Sequence, residues 1–230
     1  LYAPFGIIPF PAGNTGAQMG GWFNKQINSV ADLQGLKIRM PGLGGEVLTR
    51  AGATTINLPG GEIFTALQSG AIDATEWVGP YNDLAFGLHK AASYYYYPGW
   101  HEPGSTIELL VNQDAYQGLP EDLQEIIAQA STQANLRMLA EFTARNSASL
   151  ATLINEHKVE LRSFPPEVLD ELQRHTEAVY RDLIARDPAS AKVYQSFIQY
   201  RQQVMEWHAI SEQAIMATRP QTVEPSQPAE

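Results

Sequence analysis

The residues best placed to do chemistry in this sequence are two acids, an arginine, two neutral amides and a tryptophan, each at a strand end or in a turn. In Ser69-Gly70-Ala71-Ile72-Asp73-Ala74-Thr75-Glu76-Trp77-Val78-Gly79-Pro80 an apolar strand carries Glu76 and Trp77 into a Gly-Pro turn. A carboxylate at a strand end faces a ligand or solvent, and in open α/β sheets ligands sit just beyond the carboxyl ends of strands. Arg39 stands near the end of the strand Leu36-Lys37-Ile38-Arg39-Met40. Its guanidinium can clamp a carboxylate at two points, which lysine cannot; taken alone, it could equally be a solvated edge charge. Glu102 lies beside another glycine and proline turn. The neighbouring His101 reads as a packing or surface residue, because the second histidine of a zinc-protease helix is missing. The glycine-rich stretch Pro11 to Phe23 adds Asn14, Thr15 and Gln18 as neutral hydrogen-bonding groups. It fits neither the phosphate-binding loop nor the dinucleotide fingerprint, and a purely structural loop is the alternative.

No serine or threonine pairs persuasively with a histidine, which leaves a hydrolase without its nucleophile and base. An anion clamped by Arg39 would be repelled by Glu76 unless a cation lay between them. Carboxylate, amide and backbone carbonyl oxygens are hard donors that suit Na⁺ or Ca²⁺ rather than zinc. The candidates together read as a site for a small carboxylate and a hard cation.

The elements that position these residues alternate over the first half of the chain. A capped helix over Asn28 to Gly35 hands over to the Arg39 strand, whose alternation sets Leu36, Ile38 and Met40 against Lys37 and Arg39. Gly44 to Gly52 forms a helix and Thr55 to Leu58 a strand. Gly60 to Gln68 forms a helix that Ser69-Gly70 stops ahead of the Glu76 strand. Gly6 to Phe10 is a short strand with Pro9 at an edge. Pro80 to Leu88 is an irregular or helical connection, Tyr94 to Trp100 an aromatic run into a turn, and Thr106 to Asn112 a strand. The pattern gives an α/β class. From Pro120 long helical periodicity takes over: one helix toward His157, a short strand over Lys158 to Phe164, a helix to Arg186, and a last helix from Ala189 to about Ala217. The apolar stripe of that last helix is broader than one surface needs, so it packs either on a partner or within the chain. The domains then run 1–118 for the α/β region with the cleft residues, 119–217 for the long helices, and 218–230 for a disordered tail.

With 230 residues and 44% hydrophobic content the chain can bury a real core. A formal charge of -10, from 15 Lys and Arg against 25 acids, argues against a nucleic-acid partner. The absence of cysteine excludes disulfides, thiolate catalysis and cysteine-based zinc sites. No window approaches the roughly 18 apolar residues of a membrane-spanning helix. The opening Leu1-Tyr2-Ala3-Pro4-Phe5 reads as the interior of a fold, so the numbering is expected to start part-way through a longer protein.

The strings Gly13-Asn14-Thr15-Gly16-Ala17-Gln18-Met19-Gly20-Gly21-Trp22-Phe23, Leu36-Lys37-Ile38-Arg39, Gly70 to Pro80 and Tyr94 to Trp100 occur in order. This series resembles the substrate-binding subunits of TRAP transporters, especially those that bind 2-oxoacids such as pyruvate, or lactate, with a metal ion. The resemblance runs from the first residues to about Trp207. It implies a type II periplasmic-binding-protein-like fold of two α/β lobes with long C-terminal helices, a periplasmic location, and no reaction. It also implies that Arg39 clamps the substrate carboxylate, while Gln18, Glu76 and the Trp77 carbonyl hold Na⁺ or Ca²⁺; Glu102 is carried over as a further metal ligand and Asn14 as a further ligand contact. The implied partners are a small carboxylate, the membrane subunits of the transporter, and a second copy through the last helix. Relatives of this kind carry a further stretch before the position of Leu1, so part of one lobe is expected to be missing. The competing readings are a metal-dependent enzyme that uses Glu76 or Glu102 as base on small oxoacids, and a sensory or scavenging receptor.

Overall fold

A computed structural model describes residues 1–219, so the tail expected over 218–230 lies, from 220 on, outside the described residues. The strands are β1 (Ile7–Asn14), β2 (Gly21–Phe23), β3 (Lys37–Arg39), β4 (Thr54–Ile56), β5 (Ala74–Thr75), β6 (Tyr94–Tyr97), β7 (Thr106–Asn112) and β8 (Glu160–Ser163). The helices are α1 (Gly42–Arg50), α2 (Gly60–Ser69), α3 (Pro80–Phe86), α4 (Gln113–Gln117), α5 (Glu121–Asn155), α6 (Pro166–Arg186), α7 (Pro188–Ile210) and α8 (Glu212–Thr218). The expected α/β class and long C-terminal helices are both present. No helix among the described residues is long and apolar enough to cross a membrane.

Chain contacts divide the molecule into Leu1–Val179 and Tyr180–Glu230. The first unit holds both sheets. Six strands in the order β4-β3-β5-β2-β6-β8 make the larger one. β3 runs parallel to β4 and β5, β2 antiparallel to β5 and β6, and β6 parallel to β8. Its central strands are buried on both faces. Successive residues therefore feed opposite cores: Trp22 and Tyr95 one cluster with Ile63, Ile72 and Leu153, and Phe23 and Tyr96 the other with Ile38, Phe164 and Val168. Trp22 stacks on Tyr95 with ring centroids 4.1 Å apart. The aromatic run thus packs on alternate faces, as any strand must. Leu36, Ile38 and Met40 are buried while Lys37 is exposed, the alternation read from the sequence.

The smaller sheet is the antiparallel pair β1 and β7, with a register shift between Pro11 and Gly13. The strand expected to end at Phe10 instead continues through Pro11 to Asn14 and shortens the glycine-rich loop to residues 15–20. A ribbon with one partner tolerates proline, since the missing N–H falls on its open edge. Helix α5 packs on β1, and Gly13 makes the approach possible: a Cβ there would lie 2.9 Å from Met138 Sδ. Gly21, at φ +122°, would place a Cβ 2.6 Å from the Thr75 carbonyl, so β2 can lie against β5 only as glycine.

In the second unit Tyr180, at the end of α6, meets Tyr194 of α7 with ring centroids 5.3 Å apart, and α7 packs on α8. No side chain of α7 or α8 is buried. The single last helix expected over Ala189 to Ala217 is in fact broken at Ser211, whose φ of -109° and ψ of -96° are not helical. Its Oγ donates to the Trp207 carbonyl at 2.7 Å, and serine back-bonding of this kind competes with the helix ladder.

Candidate functional site

Arg39 and Thr75 are register partners at the ends of the adjacent parallel strands β3 and β5. One residue on, the Glu76 N–H donates to the Arg39 carbonyl at 3.3 Å, so the backbone itself sets the two charges side by side. Arg39 Nη1 then pairs with Glu76 Oε1, both side chains nearly buried, and Arg39 Nε donates to the Leu58 carbonyl at 3.2 Å. The other carboxylate oxygen, Glu76 Oε2, lies 3.5 Å from His101 Nε2. Trp77 follows, its ring stacked on Phe86 at 4.9 Å and its centroid 5.7 Å from the Arg39 guanidinium carbon. A cation over an indole is attracted to the ring's negative face. The indole also covers Gly60, where a Cβ would meet its edge at 2.9 Å.

The loop after β6 completes the cluster. Ligand atoms of Glu76, His101 and Glu102 all lie within 4.8 Å of one another. Ser105 Oγ donates to Glu102 Oε1 and accepts from Gln18 Nε2 at 2.9 Å. Gln18 Nε2 also donates to Thr15 Oγ1 at 3.0 Å, and Thr15 Oγ1 accepts the Ser105 N–H at 3.0 Å. The amide nitrogen of Gln18 is thereby spent, and its Oε1 is left buried with no hydrogen-bond partner. An orphaned buried acceptor on a side chain linked through Ser105 to Glu102 fits a positively charged guest. The carboxylate and amide oxygens of Gln18, Glu76 and Glu102 are hard donors, the kind that hard cations take. Asn14 stays with the turn that ends β1, its Oδ1 accepting the Gly16 N–H at 2.9 Å.

The structure therefore brings Arg39, Glu76, Trp77 and Glu102 together, ties Gln18 to Glu102 through Ser105, and leaves Asn14 at the margin. His101, read from the sequence as packing or surface, is packed and not solvated, yet its ring makes no hydrogen bond. Its side chain is 3% exposed, its ring meets Trp100 edge-on at 5.4 Å, and neither nitrogen has a hydrogen-bond partner.

Two further contributions carry no motif. Thr15 and Ser105 act through single hydroxyls that only tertiary packing brings together. Asp83 holds the turn after Glu76-Trp77: its Oδ1 accepts the N–H groups of Val78 and Gly79 at 3.1 and 3.0 Å. Oδ2 accepts Trp22 Nε1–H at 2.8 Å and the Tyr95 hydroxyl at 2.7 Å. Burial pushes its pKa up to about 6, opposed by these four donors. The signal available in the sequence was an acid in the first turn after Gly79-Pro80.

Over residues 5–187 the sequence matches the family described as bacterial extracellular solute-binding protein, family 7. The chain belongs to that family. Among relatives of this family 7 protein, a monocarboxylate 2-oxoacid-binding periplasmic protein of a Nostoc species is 47% identical over 212 residues, which are 92% of this chain and 58% of the Nostoc one. The fold superposes with TM-score 0.91 on a TRAP periplasmic solute binding protein from Colwellia psychrerythraea, solved with bound calcium and pyruvate. The two are 44% identical, and the match covers 95% of this chain and 66% of that one. A TRAP periplasmic solute binding protein from Pseudoalteromonas atlantica, solved with sodium and pyruvate, gives TM-score 0.91 at 43% identity over 95% of this chain and 67% of that one. The family 7 fold implied by the sequence motifs is the fold of these structures.

Proposed function

We propose that this chain is the capturing part of a periplasmic receptor that binds a small 2-oxo or 2-hydroxy monocarboxylate, pyruvate in the simplest case, together with Na⁺ or Ca²⁺, and presents it to the membrane subunits of a TRAP transporter. The observation that carries the reading is the buried Arg39–Glu76 pair. A carboxylate arriving at Arg39 competes with Glu76 for the guanidinium. Arg39 can turn to the substrate only where the charge of Glu76 is met by something else, and Gln18, Glu76, Glu102 and the Trp77 carbonyl would hold the ion that meets it. The bound ion supplies positive charge between two carboxylates. Arg39 supplies planar recognition, and the Trp77 ring supplies an apolar wall with Phe86 behind it. Nothing in this division of labour requires a bond to be broken, so the site works as a receptor and returns its ligand unchanged. The names of the Nostoc relative and the contents of the Colwellia and Pseudoalteromonas structures support the same assignment. Within it, a second copy of the chain is the partner assigned to the exposed apolar positions of α7 and α8, among them Phe197, Trp207 and Ile210.

Calorimetry with pyruvate tests the reading. The chain is expected to bind it in the presence of Na⁺ or Ca²⁺ and to lose about 100-fold or more in affinity as Arg39→Ala, in line with the cost of a lost charge-assisted pair. Chelation in sodium-free buffer is expected to abolish binding, and NMR of the bound acid to show no product. Equal pyruvate affinity in Arg39→Ala and the parent chain would overturn the assignment.

A further inference from the structure

The neutral donor in the cluster is not explained by a hard cation. His101 is held with its side chain 3% exposed and no hydrogen bond to either ring nitrogen, and Nε2 stands 3.5 Å from Glu76 Oε2. A buried polar group without a partner costs roughly 1–3 kcal/mol; His89 shares that state, and what sets His101 apart is the pair of carboxylates, Glu76 and Glu102, within 4.8 Å. Two ligands at about 2.1 Å from a tetrahedral ion lie about 3.4 Å apart, close to the separation seen here. The carboxyl oxygen of Glu102 that completes the trio falls within 4.8 Å of both, on an exposed loop residue that can move toward an ion.

We propose that His101 is a ligand in its own right, and that Glu76, His101 and Glu102 form a mixed nitrogen and oxygen site that takes a first-row divalent cation such as Mn²⁺, Co²⁺ or Zn²⁺. Imidazole adds little to the binding of Na⁺ or Ca²⁺, which prefer oxygen, but contributes strongly to first-row ions. The site therefore holds Ca²⁺ through its oxygens alone and a first-row ion through His101 as well. This rests on the reading of the cluster as a cation site and adds the class of cation to it.

Co²⁺ alone, added to the full chain, tests the assignment by proton NMR, where a coordinated imidazole gives a hyperfine-shifted, exchangeable N–H signal. That signal is expected in the parent chain and in His89→Phe, whose histidine stacks on His157 at 4.0 Å elsewhere in the fold. It is expected to vanish in His101→Phe, which keeps the packing on Trp100. In titrations His101→Phe is expected to weaken Co²⁺ by about tenfold or more, as loss of a ligand does, and Ca²⁺ by less than about threefold. Co²⁺ binding without the shifted imidazole signal, or equal weakening of Co²⁺ and Ca²⁺, would overturn the role of His101 and leave the cation site standing. Failure of the parent chain to bind either ion would remove the cation site itself, and this inference with it.

Discussion

At the scale of single residues the proposed receptor site is a contest between two anions for one guanidinium. Arg39 is shared by Glu76 and the proposed substrate carboxylate, so ion and substrate must be linked: each raises the affinity of the other by the same factor, typically 5- to 150-fold. Glu76→Gln removes the competing charge. In that variant pyruvate affinity is expected to become nearly independent of Na⁺ and Ca²⁺ in calorimetric titrations, whereas in the parent chain it rises with either ion. A variant in which the ion dependence persisted would place the linkage on other residues. Arg39 and Glu76 were legible in the sequence because alternation and turn signals put both at strand ends, where side chains leave the sheet. His101 was not, because its meaning lies in what fails to surround it: a histidine with two unpartnered nitrogens looks, in sequence, like any packed histidine. Ser105 was equally silent, since one hydroxyl has no periodicity to betray it, whereas Thr15 stood out only as one polar group of the glycine-rich stretch.

At the scale of elements the decisive piece is the short connection from β5 through Glu76-Trp77 into α3. Two residues of strand cannot fix a loop, and Asp83 does so from inside α3 by taking two backbone N–H groups of the turn and two side-chain donors of the core. Tyr81 N–H donates to Asn146 Oδ1 at 3.0 Å, which ties the same turn to α5. Because burial raises the Asp83 pKa from 3.8 to about 6, the folded protein holds the proton more firmly than the unfolded chain. The stability this contributes is fully present below about pH 3.8 and is lost as pH rises through about 6, a change of about 3 kcal/mol at most. Denaturant unfolding of the parent chain and of Asp83→Asn across pH 4 to 7 checks this: the difference between them is expected to fall over that window, and a flat difference would contradict it. Helix α2 and its stop at Gly70 were readable because helix termination is local chemistry. The extension of β1 through Pro11 and the break at Ser211 were not, because one depends on which edge faces a partner and the other on a single side chain competing with the ladder.

At the scale of the whole molecule, the two compact units differ in whether they have a core at all. Leu1–Val179 buries Trp22, Phe23, Tyr95, Tyr96 and Phe164 in two cores, although it also exposes apolar side chains such as Phe5 and Leu110. In the second unit α7 and α8 bury none of theirs: Trp207 is 62% exposed and Ile210 74%. Exposed apolar positions in such number on one pair of helices call for a cover. The chain is expected to run as a dimer in size-exclusion chromatography with light scattering, and Phe197→Glu with Trp207→Glu to run as a monomer that still binds pyruvate. A monomeric parent chain would dispose of the second copy. The broad apolar stripe was legible in the sequence; what covers it was not, since periodicity reports a face and never its partner.

The indole of Trp77, set between Phe86 and the Arg39 guanidinium, makes the site visible without any label. Its emission responds to the electric field along the ring, and a guanidinium that leaves Glu76 for a substrate changes that field. Pyruvate titrated into the chain is therefore expected to shift or quench intrinsic fluorescence, and Trp77→Phe to remove most of the response while Trp22, Trp100 and Trp207 continue to report the folded state. An optical signal of this kind would follow capture and release in real time, and a response unchanged in Trp77→Phe would locate the reporter elsewhere.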